Sequence, residues 1–187
     1  MAASTDDSWT RIETWLHAHA PRTYTTLNPP ADEASLRAAE EALGLSLPSD
    51  LFASFLRHDG SAAGQNTHGR FTLPGEYALL DLEGIAKQWR MLGSILATHE
   101  DAMVGAWWHT QWVPIGLHVT GDTLFVDQRP GPHQGSIGEL MTHDSAFVGV
   151  WKSFAELLEN TAVALETGEE IEECRAVISG DGSLGWE

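Results

Sequence analysis

The sequence predicts an α+β fold, in which helices pack around a mostly antiparallel sheet of about four to six strands. Apolar residues recur at helical spacing toward both ends of the chain, whereas the middle carries short β-branched and aromatic runs separated by glycine and proline. The 187 residues are 42% hydrophobic, which suits one core of ordinary size. We therefore expect a single domain over residues 1–187, with N-terminal helices and a long C-terminal helix.

The N-terminal part is predicted to form three helices. Residues 8–19 place large apolar side chains on one helical face, and Pro21 stops this helix. Asp32 can cap a second helix, which Gly44 ends because glycine accepts the left-handed conformation. Pro48 opens a third helix, since proline lacks an amide hydrogen and fits the first helical turn, and the Asp-Gly pair that follows ends it.

The middle of the chain is predicted to form the sheet. Gly121-Asp122 supplies a turn between two apolar runs, and the composition of residues 123–127 suits a half-buried strand. Residues 61–69 are small and polar, which predicts a loop. The predicted strands are 71–73, 77–80, one that begins at Trp112, 123–127, 135–141 and 147–151, with a helix capped by Asp81 between the second and third.

The C-terminal helix has a clear local signal. Ser153 and Glu156 stand three residues apart as a capping box, and Gly168 follows the end of the apolar pattern. Residues 169–187 form an acidic extension, which we expect either to dock as a short helix or to fray. Its glutamates at 169–173 are interpreted as a solvated helical face.

The charge of the chain limits the classes of molecule that it can bind. There are 27 acidic and 10 basic residues, which give a formal net charge of −17. Nucleic acid is excluded as a partner on this ground, because a polyanion is bound through many Lys and Arg side chains. A basic protein partner would be attracted. The alternative is that the acidity serves only solubility, and charge alone does not decide between the two.

The cysteine content and the hydropathy of the chain indicate the cellular compartment to expect. Cys174 is the only cysteine, which agrees with a reducing compartment. No basic and apolar leader begins the chain, and no apolar run approaches the roughly 18 residues that cross a bilayer. We expect a cytoplasmic protein that does not enter a membrane.

The chemical motifs of common enzymes are missing from the sequence. There is no Gly-x-Ser-x-Gly elbow, no phosphate-binding glycine loop and no dinucleotide-binding fingerprint. No pair among the nine histidines has the spacing of a zinc-binding helix, and His17 and His19 would project about 200° apart on a helix. We therefore expect no catalytic residue, no metal and no cofactor.

A series of short motifs follows a fixed order along the chain. These are Leu43-Gly44, Leu47-Pro48, Asp59-Gly60, Leu79-Leu80, Trp89, Trp112-Val113-Pro114-Ile115, Gly121-Asp122, residues 124–127 and Gly135. Their order and spacing resemble the SUKH superfamily, in particular its Smi/Knr branch, over residues 28–168. His58-Asp59-Gly60 stands where the family often has Asn-Gly, and either dipeptide suits a turn that ends a helix.

The resemblance implies helices packed on a mostly antiparallel sheet and a role in binding other proteins. Bacterial relatives are known mainly as immunity proteins that neutralise a polymorphic toxin, and fungal relatives regulate cell-wall glucan synthesis. We therefore expect a non-enzymatic immunity protein that occludes the active site of a basic toxin domain. A regulatory adaptor in cell-wall assembly or signalling is the alternative, and an enzyme hidden in a family-like fold is a third hypothesis.

Six residues are candidates for partner binding. They are Trp107, Trp108, Trp112, Asp122, Asp127 and Glu139. The tryptophans are of the residue type that most often anchors protein interfaces, and the carboxylates can meet Lys or Arg of a toxin. The alternatives are core packing for the tryptophans, a turn role for Asp122, and pairing of Asp127 with Arg129. Strand alternation would place Trp108 and Trp112 on one face and Trp107 on the other.

Overall fold

The computed structural model describes residues 4–62, 69–98 and 103–187. It confirms the α+β class. The elements are α1 (Thr5–His19), α2 (Pro21–Tyr24), α3 (Glu33–Leu43), α4 (Ser49–Phe55), β1 (Thr72–Leu73), β2 (Tyr77–Leu79), α5 (Leu82–Leu96), β3 (Trp112–Leu117), β4 (Thr123–Asp127), β5 (Ile137–Leu140), β6 (Ala146–Trp151), α6 (Phe154–Thr167), β7 (Ala176–Ile178) and β8 (Leu184–Trp186). Most of the loop predicted over residues 61–69 lies outside the described residues.

Helix starts follow the predicted caps closely. Asp32, Asp81 and Ser153 each accept a hydrogen bond from a backbone N–H in the first turn of α3, α5 and α6. Helix α1 starts three residues earlier than predicted, because Ser4 and Asp7 form a capping box ahead of the apolar pattern. Side-chain caps are local, so a sequence can reveal them.

The prediction that the third helix reaches the Asp-Gly pair is wrong. Helix α4 ends at Phe55, and the next residues turn back against the N-terminal helix. The Arg57 guanidinium binds the Glu13 carboxylate with Nε at 2.6 Å from Oε1, and His58 Nε2 lies 2.9 Å from the same oxygen. The His58 N–H still bonds the Ser54 carbonyl at 2.9 Å, whereas the Asp59 N–H bonds the Pro29 carbonyl at 3.0 Å, so the chain has left the helix before the Asp-Gly pair.

The main sheet is a meander of six strands in chain order, and every neighbouring pair is antiparallel. All of β4 is buried, so the expectation of a half-buried strand over residues 123–127 is wrong. The reason is that both faces of the sheet are covered. Val113, Ile115 and Leu124 point into one apolar cluster, whereas Trp112 and Phe125 point into a second one.

Helices contribute to both clusters. The first cluster contains buried residues of α1, α3, α4 and α6 and also Ile85 of α5. The second contains Leu92 and Leu96 of α5 together with the three tryptophans of residues 107–112. The sheet is therefore the middle layer of a three-layer arrangement, and its central strands have no solvated face.

The C-terminal extension forms a hairpin, so the prediction of a short helix or a frayed end is wrong. Strands β7 and β8 pair antiparallel, and Leu184 and Trp186 enter the first apolar cluster. The Trp186 indole donates to the Thr72 carbonyl at 3.2 Å. Residues 169–173 do not form a helical face, since Glu172 and Glu173 have left-handed φ angles of 48° and 62°.

Gly138 tests the two-sided packing of the sheet. A methyl group at this position would collide with the Phe125 ring and lie 2.6 Å from the Phe147 carbonyl oxygen. We expect Gly138→Ala to lower the free energy of unfolding by about 1–3 kcal/mol, measured by urea denaturation. Gly93→Ala in α5 is the matched control, because nothing lies within 4 Å of its added methyl and alanine favours a helix. Equal effects of the two variants would contradict the packing described above.

Candidate functional site

The three candidate tryptophans lie in the interior. Trp107 is 8% exposed, and Trp108 and Trp112 are fully buried. Trp108 meets Trp112 edge-on at 5.6 Å between ring centroids, and Trp112 stacks on Phe125 at 4.1 Å. The prediction of an exposed aromatic anchor at these residues is therefore wrong, and core packing describes them.

Strand alternation also fails for these residues. Trp107, Trp108 and Trp112 enter the same apolar cluster, although alternation was expected to separate Trp107 from the other two. The reason is that residues 105–107 form a turn ahead of β3, so the period of two does not apply there. Gly105, which has a φ of +77°, is the local sequence signal of this turn.

Asp127 is a buried structural group. Its carboxylate is 1% exposed and accepts three hydrogen bonds from the Arg129 guanidinium, with Nε at 2.9 Å from Oδ1 and 3.1 Å from Oδ2, and Nη2 at 2.6 Å from Oδ2. The Arg129 guanidinium in turn lies 4.9 Å from the centre of the Trp112 ring. The expected pairing of Asp127 with Arg129 is confirmed, and a direct role of Asp127 in partner binding is wrong because solvent does not reach it.

Asp122 and Glu139 remain partly exposed. Asp122 holds its turn by accepting hydrogen bonds from Thr120 Oγ1 at 2.6 Å and from the Thr142 N–H at 2.7 Å. Burial alone would raise the pKa of Asp122, but these hydrogen bonds outweigh it and lower the pKa. Glu139 accepts a hydrogen bond from the Tyr77 hydroxyl, and burial together with that carboxylate raises the pKa of Tyr77. Partner contact by Asp122 and Glu139 stays a prediction.

An exposed apolar site lies beside these two acids. Phe147 of β6 is directly opposite Glu139 of β5 in the sheet register, and its side chain is 51% exposed. Met141, next to the Thr142 amide that binds Asp122, is 39% exposed. We call Asp122, Glu139, Met141 and Phe147 the Phe147 patch. Sequence reasoning missed its apolar half, because the strand pattern does not show which strand ends the sheet.

Strand β6 is an irregular edge. It is the last strand of the sheet, and no strand in the described part of the chain pairs with its outer side. The register shifts between Ile137 and Glu139, and Gly149 has a φ of +73°. Bulged edges resist further strand pairing. The patch is therefore suited to side-chain contacts more than to extension of the sheet.

Most cations of the molecule are neutralised internally. Seven of the ten Lys and Arg side chains form ion pairs with carboxylates in the described part of the chain. They are Arg11, Arg22, Arg37, Arg57, Arg129, Lys152 and Arg175. Acidic residues exceed basic ones by 17 in the whole chain, so the exterior is electronegative.

A cavity of about 390 Å³ lies where the C-terminal hairpin meets the start of the sheet. Its described lining includes Arg70, Thr72, Glu76, Leu117, His118 and Ser183. Sequence reasoning missed it because the hairpin that forms one wall was not predicted.

No group of three or more His, Cys, Asp or Glu side chains that could hold a metal ion occurs among residues 4–62, 69–98 and 103–187. Within the same ranges, no helix is both long and apolar enough to cross a bilayer.

The architecture defines an α+β domain with an aromatic interior and an acidic exterior, built around an antiparallel meander. Comparison of the sequence with models of protein families identifies the family of this chain. The model of the SMI1 / KNR4 family (SUKH-1) matches residues 30–160, and the chain belongs to this family. The resemblance found in its motifs is thereby confirmed.

Two fungal regulators are among the relatives of this chain. Cell wall assembly regulator SMI1 of Saccharomyces cerevisiae is 24% identical over 223 residues, which cover 95% of this chain and 44% of that protein. Cell wall biosynthesis/cell cycle regulator smi1 of Schizosaccharomyces pombe is 28% identical over 189 residues, covering 87% of this chain and 36% of that protein. The chain thus spans less than half the length of either relative.

The Asp127–Arg129 pair gives a test of this interior. We expect Arg129→Met to lower the free energy of unfolding by about 3 kcal/mol, because it leaves a buried carboxylate without its partner. Arg175→Met is the control, since the Arg175–Glu170 pair is more than half exposed on both sides and such pairs contribute about 0–1 kcal/mol. Urea denaturation of both variants measures the difference. A small effect of Arg129→Met, similar to that of Arg175→Met, would show that Asp127 reaches water.

Proposed function

We propose that this protein is a non-enzymatic, cytoplasmic protein-binding domain, and that it acts as an immunity protein for a toxin with a basic active-site surface. The supporting observation is the formal net charge of −17, together with the ion pairs that hold seven of the ten cations within the described part of the chain. Membership of the SUKH-1 family supports a role in protein binding, and the resemblance to bacterial immunity proteins supports the choice of partner.

Inhibition would work by occlusion. The acidic exterior raises the rate of encounter with a basic surface, by roughly 10- to 1,000-fold where the charge is focused. The Phe147 patch combines an exposed aromatic ring with the Asp122 and Glu139 carboxylates, so it can seat both the apolar stem and the charged head of a Lys or Arg side chain. Burial of Phe147 against the toxin then slows dissociation.

A regulatory adaptor is the second candidate. The observation that favours it is the match to SMI1 of Saccharomyces cerevisiae, a cell wall assembly regulator, over 95% of this chain. An adaptor would bind several partners weakly, whereas an immunity protein binds one partner tightly. Affinity capture with purified protein, followed by titration of each captured partner, separates the two roles.

The direct test of immunity uses the gene neighbourhood. If an adjacent reading frame encodes a large protein with a toxin-like C-terminal domain, co-expression of this chain with that domain should restore growth of the host cell. Failure to restore growth, together with failure of the two purified proteins to bind, would remove the immunity proposal and leave the adaptor.

Electrostatic steering predicts a salt-dependent affinity. Raising sodium chloride from about 0.05 M to about 0.5 M shortens the Debye length from about 14 Å to about 4 Å, so the Kd for the toxin domain should rise at least about tenfold. Stopped-flow kinetics should assign most of this change to the association rate. An affinity that stays flat over this range would argue against an electronegative docking surface.

The Phe147 patch predicts a specific loss of binding. We expect Phe147→Ser to weaken the complex at least about tenfold, because central aromatic side chains contribute more than 1 kcal/mol to typical interfaces. The variant should retain its unfolding midpoint, since the ring is about half exposed. Met91→Ser on α5 is the matched control, because Met91 is 46% exposed and lies outside the patch. Equal weakening by both variants, or none by either, would place the contact elsewhere.

A further inference from the structure

Arg70 is a cationic side chain in the wall of the cavity beside the C-terminal hairpin. It takes part in no ion pair among the residues that the structure describes. Its Nε atom is buried and has no hydrogen-bond partner in the same set of residues. A half-buried guanidinium without an ion-pair partner in the described part of the chain is energetically costly.

Two hydroxyl groups in the same wall are also unsatisfied. Thr72 Oγ1 and Ser183 Oγ are buried and have no hydrogen-bond partner among the described residues. Ser183 is 2% exposed and lies on the hairpin, opposite the β1 side of the cavity. Arg70, Thr72 and Ser183 all line this cavity, and a guanidinium and two hydroxyls are donor groups that together suit an anionic oxygen group.

The charges around Arg70 also favour the binding of an anion. Burial lowers the pKa of Arg70, and the charge of Asp81 offsets part of this effect. Asp81 is committed to the α5 cap, where its Oδ1 accepts the Gly84 N–H at 2.6 Å. An anion in the cavity would therefore compensate a charge that Asp81 offsets only in part and that forms no ion pair within the described residues.

We propose that this cavity is a binding site for a monocarboxylate group attached to a small apolar moiety, with the Arg70 guanidinium as its charge partner and the Thr72 and Ser183 hydroxyls as additional donors. The site is distinct from the Phe147 patch, and neither proposal depends on the other. The carboxylate belongs either to a free small molecule or to the C-terminus of a peptide.

The remaining lining selects a monoanion. One guanidinium balances one negative charge, whereas Glu76 on the cavity wall and the net charge of −17 disfavour a dianion such as a phosphate monoester. Ala78, Leu117 and Leu184 supply an apolar surface next to the polar end. The volume of about 390 Å³ falls within the range of roughly 300 to 1,000 Å³ that small ligands occupy in proteins.

The test follows the indole N–H signal of Trp186 by NMR, because this group bonds the backbone of Thr72 in the cavity wall. The probes are hexanoate, hexyl phosphate, hexanol, and the peptide acetyl-Gly-Gly-Leu with either a free or an amidated C-terminus. We expect hexanoate, the free peptide or both to shift the signal with saturation below about 20 mM, and hexanol and the amidated peptide not to do so. Hexanoate alone identifies a free small molecule as the source of the carboxylate, and the free peptide alone identifies a peptide C-terminus.

Substitution of the guanidinium provides the second arm of the test. Arg70→Met keeps the length of the side chain and removes its charge, so it should weaken binding of the active probe at least about tenfold. Arg70→Lys keeps the charge and loses the planar fork, so it should show an intermediate loss and serves if Arg70→Met does not fold. Arg90→Met, at an exposed position on α5, should leave binding unchanged.

The proposal is overturned if none of the carboxylates binds, or if hexanol or the amidated peptide binds as well as its charged counterpart. It is also overturned if hexyl phosphate binds more tightly than hexanoate, or if a folded Arg70→Met protein retains full affinity.

Discussion

Coverage of the sheet on both faces is the constraint on which the rest of the structure depends. Strands β3 and β4 have no solvated side, so each needs an apolar layer above and below it. The helices α1, α3, α4 and α6, with Ile85 of α5, cover one face, and Leu92 and Leu96 of α5 with the tryptophans of residues 107–112 cover the other. Because these tryptophans complete the core, they are not exposed at the surface. A partner must therefore contact other residues, which lie on the exterior of the protein.

The exterior that remains is defined by charge. Seven of the ten cations are held in ion pairs within the molecule, so the excess of carboxylates is not neutralised locally. Such a surface repels polyanions and favours basic proteins. The exposed ring of Phe147, next to Glu139, adds an apolar contact to this field. Membership of the SUKH-1 family agrees with a molecule that presents a shaped surface to another protein.

The helix caps were predictable from the sequence, whereas contacts between residues far apart in the chain were not. Asp32, Asp81 and Ser153 cap their helices as expected, because a cap depends on residues within one turn. The C-terminal hairpin was missed, since Trp186 is fixed by Thr72, which lies 114 positions away in the chain. The aromatic anchor was misplaced for a related reason: a tryptophan at an interface and one in a core have the same local sequence, and only the cover provided by α5 distinguishes them.

Trp107, Trp108 and Trp112 are buried, and we propose that the β6 side of the acidic exterior contacts the partner. Hydrogen–deuterium exchange of the free protein and of its complex with the cognate partner distinguishes these two surfaces. We expect new protection of amides in β6 and in the turn at Asp122, with residues 107–112 unchanged. New protection confined to residues 107–112, with β6 unchanged, would contradict the account.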